Sequence, residues 1–118
     1  KIHDTHTGGV PDCYYEGPVG LAWVEYKYIK KMPVKPDTQL VIALSPLQLA
    51  WLKRTVTHGQ RAMVVVGHED QALILPEYKW KEPVTKKYYE KHSVPKQHIA
   101  TIIETLTLEG KVSWMKKK

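Results

Sequence analysis

At 118 residues the chain is sized for one domain with a modest core. Its 18 Lys and Arg against 12 Asp and Glu give a net charge of +6 that favours a polyanionic partner, and the excess is uneven: residues 77–118 carry 10 basic against 5 acidic side chains, residues 1–76 only 8 against 7. The single cysteine excludes an internal disulfide, and no run of about twenty apolar residues or signal-peptide pattern marks a membrane span, so a soluble chain in the cytoplasm is expected.

The first residues, His3-Asp4-Thr5-His6, have metal-ligand chemistry, but no third ligand stands at a supporting spacing. The segment reads instead as a loop beside the candidate site at residues 12–27, with His6 or Thr7 in reach of DNA. Cys13 to Glu16 and Leu21 to Tyr28 are rich in Tyr, Trp and Val, and Gly17-Pro18-Val19-Gly20 between them is turn chemistry, which predicts a β-hairpin. A two- or four-residue loop sets Asp12 of Gly9-Val10-Pro11-Asp12 directly across from Glu25 of Trp23-Val24-Glu25-Tyr26-Lys27. A three-residue loop with a bulge would shift that register.

Opposed Cβ atoms lie about 4.5 to 5.5 Å apart, and two carboxylates at that separation repel unless a cation offsets them. Magnesium is commonly held by one or two carboxylates, with water and substrate phosphate completing its shell. Alternation along the strand puts Lys27 on the same side as Glu25, and Val24 and Tyr26 in the opposite layer with Cys13. The plainer reading is that Pro-Asp is common and Glu-x-Lys on a strand is often only a solvated face.

Lys30, Lys31 and Lys35 lie in a proline-broken basic loop at the same end as Lys27, which reads either as a track for a sugar-phosphate backbone or as a solvated connector. Gln39 to Leu44 is apolar and too short for a helix, hence an extended approach to Ser45. Ser45 is a predicted N-cap, Pro46 fits the first helical position and Gln48 the third, so the helix should run to about His58 with Gly59 at C′. Gln48 has two readings, capping-box partner or a group at the edge of the Glu25 site, and both stay open. Leu49, Leu52 and Val56 form an apolar stripe with Leu47 and Trp51 beside it, leaving Lys53 and Arg54 as candidate phosphate contacts.

Ala62 to Gly67 is a continuous apolar strand of the kind buried on both faces. His68-Glu69-Asp70 reads as a polar turn rather than a second acidic site, leading into Gln71 to Leu75, an edge strand closed by Pro76. Beyond it Tyr78, Trp80, Tyr88 and Tyr89 are interleaved with Lys79, Lys81, Lys86, Lys87 and Lys91, a pattern suited to stacking on bases and following phosphates, or, for about half of the rings, to packing on the sheet. Ile99, Ile102, Ile103 and Leu106 recur at helical spacing, so Gln97 to Leu108 is a predicted covering helix ended by Gly110.

Gly-Val-Pro-Asp at 9–12, Trp-Val-Glu-Tyr-Lys at 23–27, Leu-Ser-Pro-Leu-Gln-Leu-Ala-Trp-Leu at 44–52, Gly59 and the strand Ala62 to Gly67 together resemble the PD-(D/E)XK nuclease superfamily, and most of all its VRR-NUC branch, with Holliday-junction resolvases as neighbours. The resemblance spans about residues 8–75. It implies an α/β fold with a small mixed, restriction-endonuclease-like sheet and flanking helices. It further implies that Asp12 and Glu25 bind Mg²⁺ or Mn²⁺ with the backbone carbonyl of Tyr26, that Lys27 polarises or positions the attacking water, and that Gln48 sits at the active-site edge. The substrate would be DNA, often branched or flapped. Many members carry a further glutamate on an upstream helix, which the eleven residues before Asp12 are not expected to hold unless the chain, which lacks an initiator Met, is trimmed; at least one metal is expected, and a second stays open.

The leading expectation is thus a metal-dependent DNA endonuclease selective for branched, flapped or four-way DNA, acting as a homodimer if the substrate is a four-way junction. The alternative is a catalytically inactive nucleic-acid-binding module of the same fold, and a third is a histidine-metal enzyme built on His3 and His6.

Overall fold

The computed structural model describes residues 13–18 and 20–109, with the backbone alone for Cys13 and residues 106–109. Strands β1 (Cys13–Gly17) and β2 (Gly20–Tyr28) form the expected hairpin. Its partners run from Cys13 with Val24 to Gly17 with Gly20, every pair of numbers summing to 37 as a two-residue loop requires. Gly20 enters β2 at φ 138°, a conformation a side chain would strain.

Helix α1 (Pro46–Thr57) follows an extended approach in which Gln39 bridges Thr85. Ser45 Oγ accepts from the Gln48 amide at 3.1 Å and Gln48 Oε1 accepts from the Ser45 amide at 3.0 Å, completing the capping box, with Pro46 in the first turn where no amide is needed. The helix ends at His58, and Gly59 adopts φ 83°. This crossover lets β3 (Arg61–His68) lie parallel to β2, Glu25 beside Val64 and Lys27 beside Val66.

After a turn in which Glu69 has φ 53°, β4 (Gln71–Leu75) pairs antiparallel with β3. A short 3₁₀ turn (Glu77–Lys79), helix α2 (Lys86–His92), strand β5 (Val94–Pro95) and helix α3 (Gln97–Glu109) complete the described elements. The result is a mixed five-stranded sheet in the order β1-β2-β3-β4-β5 with flanking helices, in which only β2 and β3 are parallel. β4 is therefore not the outermost strand, because Val94 and Pro95 pair with Ala72 and Gln71. A two-residue strand leaves no periodic signal in the sequence.

Alternation along the strands builds two cores. On one face Trp23, Val64, Val66, Leu73 and Leu75 pack with Leu52 of α1 and with Trp80, Val84 and Tyr89. On the other, Val24, Met63, Val65 and Ala72 pack with Ile99 and Ile103 of α3. The central strand β3 is thus buried on both sides, as its unbroken apolar run predicts. Leu47 does not join the α1 stripe; it is exposed, and Thr55 is buried instead, its hydroxyl donating to the Trp51 carbonyl at 2.9 Å. Of the four interleaved aromatics two are core: Trp80, whose indole N–H donates to the Leu75 carbonyl at 3.0 Å, and Tyr89. Tyr78 is exposed and Tyr88 half-buried. No helix of the described residues is long and apolar enough to cross a membrane.

The Tyr89 hydroxyl is buried without a hydrogen-bond partner among the described residues. Desolvation pushes its phenol up to about 12 from the ordinary value of 10.0; the His68 backbone, near the hydroxyl but outside hydrogen-bond geometry, opposes the rise and Tyr28 adds to it. Because the folded state keeps this proton while the unfolded chain releases it near pH 10, the stability it contributes is complete below pH 10 and is lost as pH rises toward 12. Tyr89→Phe removes both the orphaned hydroxyl and this titration. It is expected to raise stability by about 1 kcal/mol in urea denaturation at neutral pH and to flatten the fall in stability above pH 10.

Candidate functional site

Trp23, Glu25 and Lys27 take the face of β2 that meets α1. Trp23 belongs there as an apolar group, packed against Trp51 with ring centroids 4.9 Å apart. Glu25 is unlike its neighbours: it is a carboxylate on a central strand with only 3% of its surface exposed. A charge so placed is costly unless cations or hydrogen-bond donors meet it there.

Two groups do. Lys27 Nζ lies 3.3 Å from Glu25 Oε2, and Gln48 Nε2 donates to the same oxygen at 2.7 Å. Gln48 Oε1 accepts from Lys27 Nζ at 3.0 Å and from the Ser45 amide at 3.0 Å. The amide orientation is therefore set by chemistry, since a flipped Gln48 would turn its NH₂ group against two donors and its oxygen against a carboxylate. Gln48 is thus both capping-box partner and the link between Lys27 and Glu25, its amide oxygen and nitrogen doing different work.

The cluster offers a fixed carboxylate, an ammonium group held beside it and a neutral amide that restrains both. Such a set can hold a hard divalent cation and place a positive donor where charge builds on a phosphate. Among the described residues no group of three or more His, Cys, Asp or Glu could hold a metal ion. Asp12 and His6 lie outside the described residues, as do His3 and Gly110. Tyr26 stands between Glu25 and Lys27 with its side chain on the opposite face, its hydroxyl 2.6 Å from that of Tyr15.

The expected phosphate contacts divide. Lys30, Lys31 and Lys35 are exposed in the loop after β2. That loop is fastened to the start of α2: the Lys86 amide donates to the Thr38 carbonyl at 3.0 Å, the Lys87 amide to Pro36 at 2.9 Å, and Lys86 Nζ to the Val34 carbonyl at 3.0 Å. Two basic segments about fifty residues apart in the sequence are thus brought to one end of the fold, with Lys87 exposed beside Lys35. Lys86 itself is engaged by Val34 and, at 3.7 Å, by Glu90.

Lys79 pairs with Glu82 at 3.3 Å and lies 4.5 Å from the Tyr88 ring centroid, whereas Lys81 is exposed. Lys53 pairs with Glu77 at 3.7 Å; Arg54 is exposed six residues beyond Gln48, about 9 Å along the helix axis from the cluster. The Lys53–Glu77 pair depends on tertiary placement, and charge patterning alone does not reveal it, whereas Lys79–Glu82 is a local i,i+3 pair. Nor does any sequence spacing single out Lys96, which stands over the Tyr28 ring at 5.3 Å on the other side of the sheet.

No family model matches the chain, and neither a curated protein nor a solved structure matches it.

If the cluster is a coupled unit, Lys27→Met strands a buried carboxylate and costs about 3 kcal/mol at neutral pH, while Glu25→Gln combined with Lys27→Met recovers most of that loss. A double-mutant cycle in urea checks this; strictly additive losses would show that the two side chains do not support one another.

Proposed function

We propose that the protein is a Mg²⁺- or Mn²⁺-dependent endodeoxyribonuclease of the PD-(D/E)XK type, most like the VRR-NUC branch, that acts in the cytoplasm on branched, flapped or four-way DNA. The observation that carries the reading is the cluster itself: Glu25 and Lys27, two residues apart on β2, joined by Gln48 from the first turn of α1. A strand with a merely solvated Glu-x-Lys face would expose its carboxylate; here the carboxylate is buried and met by Lys27 and Gln48.

The residues fit a hard cation. Glu25 supplies a preorganised carboxylate oxygen, and the hairpin register supports Asp12 as the second, within the one or two carboxylates that Mg²⁺ commonly takes, with the Tyr26 carbonyl as a further ligand. When bound, the ion supplies Lewis-acid polarisation of the scissile phosphate and acidifies a water. Lys27 donates to the attacking water or to a phosphate oxygen and offsets the negative charge that grows there. Gln48 is a positioning residue: it restrains the Lys27 ammonium and the Glu25 carboxylate together, so little reorganisation accompanies the reaction.

The exposed Lys30, Lys31, Lys35 and Lys87 supply a sequence-independent hold on phosphates, strongest at low salt. Cleavage of a four-way junction requires two opposed strands to be cut, which a homodimer would provide.

Incubation with linear, flapped and four-way DNA in Mg²⁺, Mn²⁺ or EDTA tests the reading. Cleavage is expected in either metal and none in EDTA. Lys27→Ala should reduce the rate by on the order of 10²-fold or more, and Glu25→Ala should abolish it. Cleavage that survives Glu25→Ala would sink this mechanism, and binding without cleavage in every metal would instead identify a silent nucleic-acid-binding module.

A further inference from the structure

The even-numbered residues of β2 face away from the Glu25 cluster, toward α3. There Tyr26 and Tyr28 line a pocket of about 730 Å³ whose floor includes Val65 and Gly67 and whose far wall is Ile99, Ala100 and Ile103 of α3. That volume lies within the range of small-ligand sites, roughly 300 to 1,000 Å³. Lys27 also borders it, so the pocket and the carboxylate cluster share one strand.

Tyr28 is the most telling of these residues. As a residue it is 60% exposed although its side chain is large and largely apolar. It is nonetheless held in place: its hydroxyl accepts from the Glu69 amide at 3.2 Å, and Lys96 Nζ lies 5.3 Å from its ring centroid. An aromatic ring that is both restrained and presented is the usual equipment for stacking on a flat ligand. Tyr26 stands two positions away on the same face, about 6.6 to 6.8 Å along the strand, twice the thickness of a stacked base.

Charge indicates which part of a nucleotide belongs there. The border carries Lys96 against Glu16 and Glu104, the Lys27 ammonium being turned to Glu25 on the other face, and so has no net attraction for phosphate. What it offers is ring faces and an apolar helix wall, which suit a flat, neutral base. Tyr28 also borders the adjoining hollow formed by the loop that carries Lys30 and Lys31. A strand whose base enters the pocket therefore meets lysines for its backbone directly across the Tyr28 ring.

We propose that this pocket binds one unpaired nucleobase of a strand that passes round the Tyr28 end of β2 and presents a phosphodiester to Glu25 and Lys27 on the opposite face. The proposal rests on the nuclease reading for the identity of its ligand, and it gives that reading a source of structure selectivity. Fully paired DNA keeps its bases in the stack, whereas a flap or junction presents one already free, sparing the cost of extrusion.

The test uses DNA carrying one unpaired 2-aminopurine at a flap, and the matching fully paired duplex, with the protein in EDTA so that nothing is cut. Wild type should change the 2-aminopurine fluorescence and bind the flap more tightly than the duplex. Tyr28→Ala should weaken flap binding by about tenfold while leaving duplex binding unchanged, and Tyr28→Phe should retain the selectivity. Ala100→Trp, at an exposed helix position, should fill the pocket and abolish the fluorescence change.

Equal affinity of wild type for flap and duplex, or equal weakening of both by Tyr28→Ala, would overturn the pocket even if the protein cuts DNA. Base selectivity in a protein that cuts nothing in any metal would overturn the nuclease reading and leave the pocket standing. Failure to bind either DNA would overturn both.

Discussion

A carboxylate buried in the central part of a sheet must be matched where it stands, and meeting that demand at Glu25 ties the local structures together. Lys27 comes from the same strand, but Gln48 comes from another element and must arrive with its amide nitrogen at 2.7 Å. The first turn of α1 therefore has little freedom over β2. The capping box that starts the helix also fixes the Gln48 side chain, because Ser45 and Lys27 share its oxygen. Helix initiation and charge compensation are consequently one constraint, and loss of either weakens the other.

β2 carries two chemistries because strand side chains alternate. Its odd positions present Trp23, Glu25 and Lys27 to α1, and its even positions present Val24, Tyr26 and Tyr28 to the α3 side. Pairing on both edges, antiparallel with β1 and parallel with β3, holds the strand and so holds both sets of side chains in register. The loop after β2 is steadied by the start of α2 as well as by the packing of Ile29, Met32 and Leu40 on the core, since the Thr38, Pro36 and Val34 carbonyls all accept from Lys86 or Lys87. One lysine of the basic arm is thus spent internally to order others.

Much of this is legible in the sequence where the controlling interaction is local. The turn between Gly17 and Gly20 sets a register that the pairing of Cys13 with Val24 bears out. Ser45, Pro46, Gln48 and Gly59 mark the limits of α1 through backbone groups no more than a few residues away. The apolar run from Ala62 to Gly67 signals a strand buried on both faces. Helical spacing misplaces Leu47, because it gives a stripe but not its width, and Thr55 takes the buried place instead. Lys53 and Lys79 read as free phosphate contacts, yet Glu77 and Glu82 claim them. Gln48 admits two readings because a single side chain meets both requirements through the two atoms of its amide.

The sequence by itself determined what depends on neighbours along the chain: the hairpin register, the caps of α1, the alternation that puts Glu25 and Lys27 on one face, and the basic excess after residue 77. Only the tertiary structure decided that Glu25 is buried, that Gln48 reaches it, which lysines are engaged, that Trp80 and Tyr89 are core, and that Tyr26 and Tyr28 border a pocket against α3. The division has a physical cause. Turn, cap and strand periods are set by hydrogen bonds and sterics within a few residues, whereas burial and a long-range pair such as Lys53 with Glu77 depend on which distant element comes to cover a side chain.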